Sequence, residues 1–118
     1  MVKERIVFIR EDAEAKLLHQ WLQLNGYWHA HIPNEDPDPK QRARGKAMGV
    51  SPGFPDFLIL LKNECTLFLE LKRLGAPGAR ANQEAWLAQL RRRGHITRVA
   101  HGADEAIRMI QEVENGTP

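Results

Sequence analysis

At 118 residues the chain is long enough to close one hydrophobic core and too short for a second folded module beside it. With 42% hydrophobic and 27% charged residues, it is excluded from the disordered and fibrous classes, and it has no apolar run long enough to span a bilayer. The net charge of +2 is small, but the basic residues come in clusters (Lys40, Arg42, Arg44 and Lys46; Lys72 and Arg73; Arg91, Arg92 and Arg93), which suits a polyanion bound on one face; each cluster taken singly also fits a solvated basic surface, and only their convergence on a common site would favour nucleic acid. Around Ile6–Ile9, the segment Met1–Arg10 has no signal-peptide pattern, and the single Cys65 can form no intrachain disulfide, so a cytoplasmic setting is expected.

From Glu11 to Asn25, Leu17, Leu18, Trp21, Leu22 and Leu24 follow a helical spacing that Gly26 ends. Tyr27–Ile32 reads as a short strand. Residues 33–55 carry five prolines and three glycines and read as a long loop facing the substrate, since structureless loops of that length are uncommon in compact domains. Phe57–Leu61 and Thr66–Leu71, separated by the polar Lys62, Asn63 and Glu64, form a buried hairpin. Trp86, Leu87 and Leu90 mark a second helix closed by Gly94, His95–Ala100 a further strand, and Ala106, Ile107, Ile110 and Val113 a last helix over residues 102–114. Trp21, Trp28 and Trp86 are expected in the core.

If the hairpin turn is Lys62–Glu64, Asp56 lies directly opposite Glu70, with Cβ atoms roughly 4.5 to 5.5 Å apart. Two ionised carboxylates that close repel unless one is protonated or a cation sits between them. A two-residue turn would fit the same letters, and a one-residue slip would send Asp56 to the other face. Strand alternation groups Phe68, Glu70 and Lys72 on one face and Leu67, Leu69 and Leu71 on the other. Glu14 precedes Leu17, Leu18 and Trp21 by helical spacings, so an acid turns inward there and needs a partner; Glu11, one turn earlier, is better explained by the dipole at a helix start. Gln83 likewise faces inward ahead of Trp86 and Leu87. His29 and His31 alternate on one strand and are read as substrate-facing or structural, because zinc would want more His or Cys at ligand spacing.

Gly53-Phe54-Pro55-Asp56, Phe68-Leu69-Glu70-Leu71-Lys72 and Gln83-Glu84-Ala85-Trp86-Leu87 together resemble the VRR-NUC branch of the PD-(D/E)xK nuclease superfamily. The stretches His31-Ile32-Pro33-Asn34-Glu35 and Lys46-Ala47-Met48-Gly49-Val50 look like its small stand-alone phage and bacterial members. The resemblance implies an α/β, restriction-endonuclease-like core in the order α-β-β-β-α-β with a C-terminal helix and a mixed central sheet. It further implies that Asp56, Glu70 and the Leu71 carbonyl hold a metal, that Glu14 reaches it directly or through water, that Lys72 orients or activates the attacking water, and that Gln83 supports the site.

Phosphodiester hydrolysis needs an oxygen nucleophile and stabilisation of charge on the phosphate, and hard carboxylate-bound cations supply both, so Mg²⁺ or Mn²⁺ is the expected cofactor, with no organic cofactor. Lys40, Arg42, Arg44, Lys46, Arg73 and Arg80 are the candidate DNA contacts. The expected activity is a structure-specific DNA endonuclease, resembling a Holliday-junction resolvase acting as a homodimer on branched DNA. The other readings are a nuclease for flap, nicked or ordinary duplex DNA and a non-catalytic module that binds DNA or a partner.

Overall fold

In the computed structural model the backbone is described for residues 2–32 and 38–116, with side chains from Ala13 onward within that range. Eight elements follow one another: α1 Val2–Leu24, β1 His29–His31, α2 Pro39–Ala47, β2 Phe57–Leu60, β3 Thr66–Lys72, α3 Ala81–Arg92, β4 Ile96–His101 and α4 Ala103–Glu114. The strands make one mixed sheet in the order β1-β2-β3-β4, antiparallel except for the parallel β3–β4 pair. This is a restriction-endonuclease-like α/β fold, with one helix added between the first two strands. No described helix is long and apolar enough to cross a membrane.

Strand β3 is buried on both faces, which explains why it reads as an almost unbroken apolar run. On one face Phe57, Ile59, Leu67 and Leu69 pack against Leu18 and Leu22 of α1 and Ala106, Ile110 and Val113 of α4. Each large side chain removed from water here contributes roughly 1.5–3 kcal/mol. On the other face Phe68 is buried against the Phe54 and His95 rings, and α3 buries Gln83, Leu87 and Leu90.

The hairpin turn is Lys62–Glu64: Leu61 N–H donates to the Cys65 carbonyl over 2.8 Å, and Glu64 takes the left-handed conformation at φ 73°. Cross-strand partners are Phe57↔Leu69, Leu58↔Phe68, Ile59↔Leu67 and Leu60↔Thr66, the register in which Asp56 precedes β2 opposite Glu70. A two-residue turn is excluded. The turn is anchored to the end of α4, where Lys62 N–H donates to Glu114 over 2.7 Å and the Tyr27 hydroxyl donates to the same carboxylate.

Two expectations are corrected. The stretch 33–55 is not structureless: Asp38 accepts a hydrogen bond from Lys40 N–H at 3.0 Å, Pro39 stands at the first helical position, and α2 runs to Ala47. None of its residues is buried, so it has no apolar stripe for hydrophobic spacing to detect. Residues 33–37, including Pro33-Asn34-Glu35 of the motif, lie outside the described residues, as does the side chain of Glu11. Trp28 is 80% exposed and not in the core. It sits between the turn after α1 and the start of edge strand β1, with its carbonyl accepting from Leu60 N–H, and no layer covers it. Trp21 does pack against the core, stacked on Tyr27, and Trp86 is half-buried.

Candidate active site

The segment before β2 is pressed onto the start of α3. Gly53 has φ 92°, and a Cβ there would come within 2.8 Å of the Asn82 backbone, so this approach requires glycine. Trp86 Nε1 donates to Ser51 Oγ at 3.1 Å, and the Phe54 ring meets Phe68 and Trp86 edge-on. Asp56, which follows, and Gln83, in the first turn of α3, are thereby brought to the same end of the sheet as Glu70 and Lys72.

Asp56 Oδ2 accepts from Leu71 N–H at 2.9 Å, tying the start of β2 to the end of β3. Gln83 Nε2 donates to Glu70 Oε2 at 2.6 Å, while Gln83 Oε1 accepts from Lys72 Nζ at 2.7 Å and from Arg80 N–H at 2.8 Å. Lys72 Nζ also lies 3.5 Å from Glu70 Oε2. One amide therefore fixes both the acid and the lysine, with its own orientation set by the backbone at the start of α3. Glu70 is 2% exposed, yet its Oε1 makes no hydrogen bond. A buried carboxylate oxygen left without a donor costs free energy, typically about 1–3 kcal/mol and more for a charged group.

The electrostatics match. Burial first, then the neighbouring Asp56 charge and a side-chain hydrogen bond with Asp56, together raise the Glu70 carboxyl to about 7 against the opposing Lys72. Asp56 is also held above the usual carboxylate range by burial, against the Leu71 N–H and the charges of His31 and Lys72. Two buried acids side by side resist being ionised together unless a cation stands between them. Among the described residues no three His, Cys, Asp or Glu side chains form a group suited to a metal; Asp56 and Glu70 are two carboxylates that could hold a hard divalent cation only together with a backbone carbonyl such as that of Leu71 and water.

Glu14 is placed differently. Its Oε2 accepts from Ala103 N–H at 2.6 Å, at the first turn of α4. The partner that an inward-facing acid needs is thus a helix N-terminus. Lys40, Arg42, Arg44 and Lys46 are exposed on α2; Arg73 and Arg80 flank the loop between β3 and α3.

His29 bonds to His19, ring nitrogens 2.8 Å apart, and to the Tyr27 carbonyl, a local network between α1 and β1. His31 stacks on Phe57 with centroids 4.6 Å apart. Its influence on Asp56 is not legible in the letters, because only the β1–β2 register of His31↔Phe57 makes them neighbours.

Among solved structures, a VRR_NUC domain protein is 25% identical, covers 87% of this chain and 86% of its own, and superposes with a TM-score of 0.70. A second, named VRR_NUC domain, has 17% identity and a TM-score of 0.63 over 86% of this chain and 95% of its own, and supports the fold alone. No curated protein sequence matches the chain. The sequence model of the VRR-NUC domain matches residues 9–104, which include Asp56, Glu70, Lys72 and Gln83. With most of its length matched and the same fold as these structures, the chain belongs to the VRR-NUC family of nuclease-type domains.

Proposed function

We propose that the protein is a divalent-metal-dependent DNA endonuclease that cuts branched DNA in the manner of a Holliday-junction resolvase. The observation that carries this reading is the buried Asp56–Glu70 pair, one oxygen of which has no donor, beside a lysine aimed by Gln83. Asp56, Glu70 and the Leu71 carbonyl would hold Mg²⁺ or Mn²⁺, which when bound lowers the pKa of a water and stabilises charge on the phosphate. Lys72, whose Nζ stands 2.7 Å from Gln83 Oε1, is positioned to orient the attacking water and to meet the phosphate. Gln83 would act as a positioning residue: its amide occupies Glu70 Oε2, while Oε1 is buried without a donor. On this reading Glu14 serves as the cap of α4, its Oε2 accepting from Ala103 N–H, and is not counted among the ligands.

DNA would be gripped by the exposed Lys40, Arg42, Arg44 and Lys46 of α2, with Arg73 and Arg80 next to the acids. A helix with no buried residue and four cations is better suited to phosphates than to packing. The preference for branched DNA rests on the family resemblance, and a homodimer would supply two symmetry-related cuts. Support for a dimer comes from apolar side chains left in water: Leu17 at 53%, Leu24 at 86% and Met48 at 79% exposure.

The test is cleavage of a labelled four-way junction, a flap and a matching linear duplex in Mg²⁺, Mn²⁺ or EDTA. Paired, metal-dependent nicks on opposing strands of the junction alone are expected. Equal cutting of flap or linear duplex would replace the resolvase by a less selective nuclease. Binding without cleavage in either metal would leave a non-catalytic DNA-binding module.

A further inference from the structure

We infer that His101 is a positioning residue for substrate binding: its ring fastens the loop between β3 and α3 to the end of β4 and so holds Arg73 and Arg80 in place for the phosphate backbone. The inference rests on the nuclease reading above, in which these two arginines meet DNA.

The loop, residues 73–80, carries Arg73 and Arg80 at its two ends, and none of its residues is buried. Packing therefore does little to fix it, and its hydrogen bonds must. At its start Ala76 N–H donates to the Arg73 carbonyl at 3.2 Å, closing a turn in which Gly75 takes φ 77°. At its end Arg80 N–H donates to Gln83 Oε1 at 2.8 Å. Between these, the Ala76 carbonyl lies 3.0 Å from His101 Nε2, a bond that ties the middle of the loop to a different element. A carbonyl oxygen can only accept, so it is Nε2 of the ring that carries the hydrogen.

The end of β4 is shaped to receive the loop. His101 is the register partner of Lys72, and Gly102 N–H donates to the Lys72 carbonyl at 2.8 Å, so the ring stands beside the residue from which the loop departs. Gly102 takes φ 87°, and a Cβ there would come within 2.9 Å of Leu74 Cδ2, so a loop side chain uses the space that only glycine leaves. The His101 backbone N–H donates to Glu105 Oε1 at 3.2 Å in the first turn of α4, which holds the residue carrying the ring.

The simpler reading is that His101 only closes the end of the sheet. What points beyond it is where the bond lands, three residues after Arg73 and four before Arg80 on a segment without packing of its own. A loop already held in place need not be ordered when DNA arrives, which removes part of the entropic cost of binding. Lys72 and Glu70 are held by Gln83 from α3, so the ring should act on affinity more than on the chemical step.

The experiment compares wild-type protein with His101→Leu, which has no donor, and His101→Gln, whose amide N–H can take the place of the ring N–H. Binding of a labelled four-way junction is measured in EDTA and cleavage in Mn²⁺. His101→Leu should weaken binding about three- to tenfold, the range of one hydrogen bond, and raise KM more than it lowers kcat. His101→Gln should restore most of the loss. In an Arg73→Gln, Arg80→Gln background the His101→Leu change should weaken binding by less than about twofold, because the groups it acts through are gone. Trypsin should cut after Arg73 and Arg80 faster in His101→Leu than in the wild type. If His101→Leu fails to fold, His101→Asn, polar but too short to reach Ala76, replaces it in each comparison. Unchanged affinity, or a loss of the same size in the double-arginine background, overturns the role in binding and leaves the nuclease standing. Unchanged trypsin cutting at both arginines overturns the fastening itself. Wild-type protein that neither binds nor cuts the junction overturns the nuclease reading, and the role in binding with it.

Discussion

Glu14 and Glu70 are both glutamates on inward-facing positions, and the fold treats them in opposite ways. Glu14 receives a backbone N–H at the start of α4, where the helix dipole also favours a negative charge. Glu70 receives one amide on one oxygen, keeps the other without a donor, and has a second acid beside it. The first arrangement satisfies a charge; the second leaves one buried and uncompensated. Inward acids in a small domain are therefore better sorted by what completes their coordination than by how deeply they are buried.

The sharpest way to break this comparison is to neutralise the acids. Glu70→Gln or Asp56→Asn should lower cleavage at least about a hundredfold, because several kcal/mol of transition-state charge stabilisation depends on the cation they hold. Glu70→Gln also removes the buried charge, so without metal at pH 8 its Tm should rise above that of the wild type. Persistent cleavage by highly purified Asp56→Asn protein would overturn the site assignment.

Lys72→Ala should reduce turnover about a hundredfold, within the range for a positioned proton-transfer group, yet leave the midpoint of a Mn²⁺ titration near the wild-type value. A shift of that midpoint as large as the loss of rate would make the lysine part of the metal-binding electrostatics instead. Gln83→Leu should destabilise the protein by about 1–3 kcal/mol, since it strips partners from Lys72 and Glu70. It should also lower kcat more than it raises KM, a split that a purely structural role would not produce.

Glu14→Ala tests the other side of the comparison. Loss of the helix cap should cost about 0.5–2 kcal/mol, read as a lower Tm, with cleavage well below that temperature unchanged. Abolished cleavage with an intact Tm would return Glu14 to the metal site, as the family resemblance implies.

A further effect is on pH dependence in EDTA. The Glu70 carboxyl is raised from 4.5 to about 7, so the folded protein retains a proton that the unfolded chain releases. Stability from this group is present below about 4.5 and lost as pH rises through about 7. Tm should fall over that window in the wild type and change less in Glu70→Gln, and added Mg²⁺ should restore it most at the upper end.

Several features were legible in the letters because they are local or pairwise. The alternation Leu67, Phe68, Leu69, Glu70 sorts the faces of β3, and the polar Lys62–Glu64 break sets the register that puts Asp56 opposite Glu70. The spacing from Gln83 to Trp86 and Leu87 turns an amide under α3, where it is found. Helix α2 was hidden because its signals are a cap and a proline, without the apolar stripe that burial imposes.

The sequence by itself thus determined the strands, the hairpin register, the face shared by Glu70 and Lys72 and the family, since each depends on residues near one another in the chain or on a motif. The tertiary structure alone decided that Glu14 goes to the α4 N-terminus, that Trp28 is left in water, that His31 influences Asp56, and that Gln83 occupies one oxygen of Glu70 and not the other. Those outcomes depend on which helix end, sheet edge or neighbouring strand closes over a side chain, and the spacing of letters within one element carries no record of that.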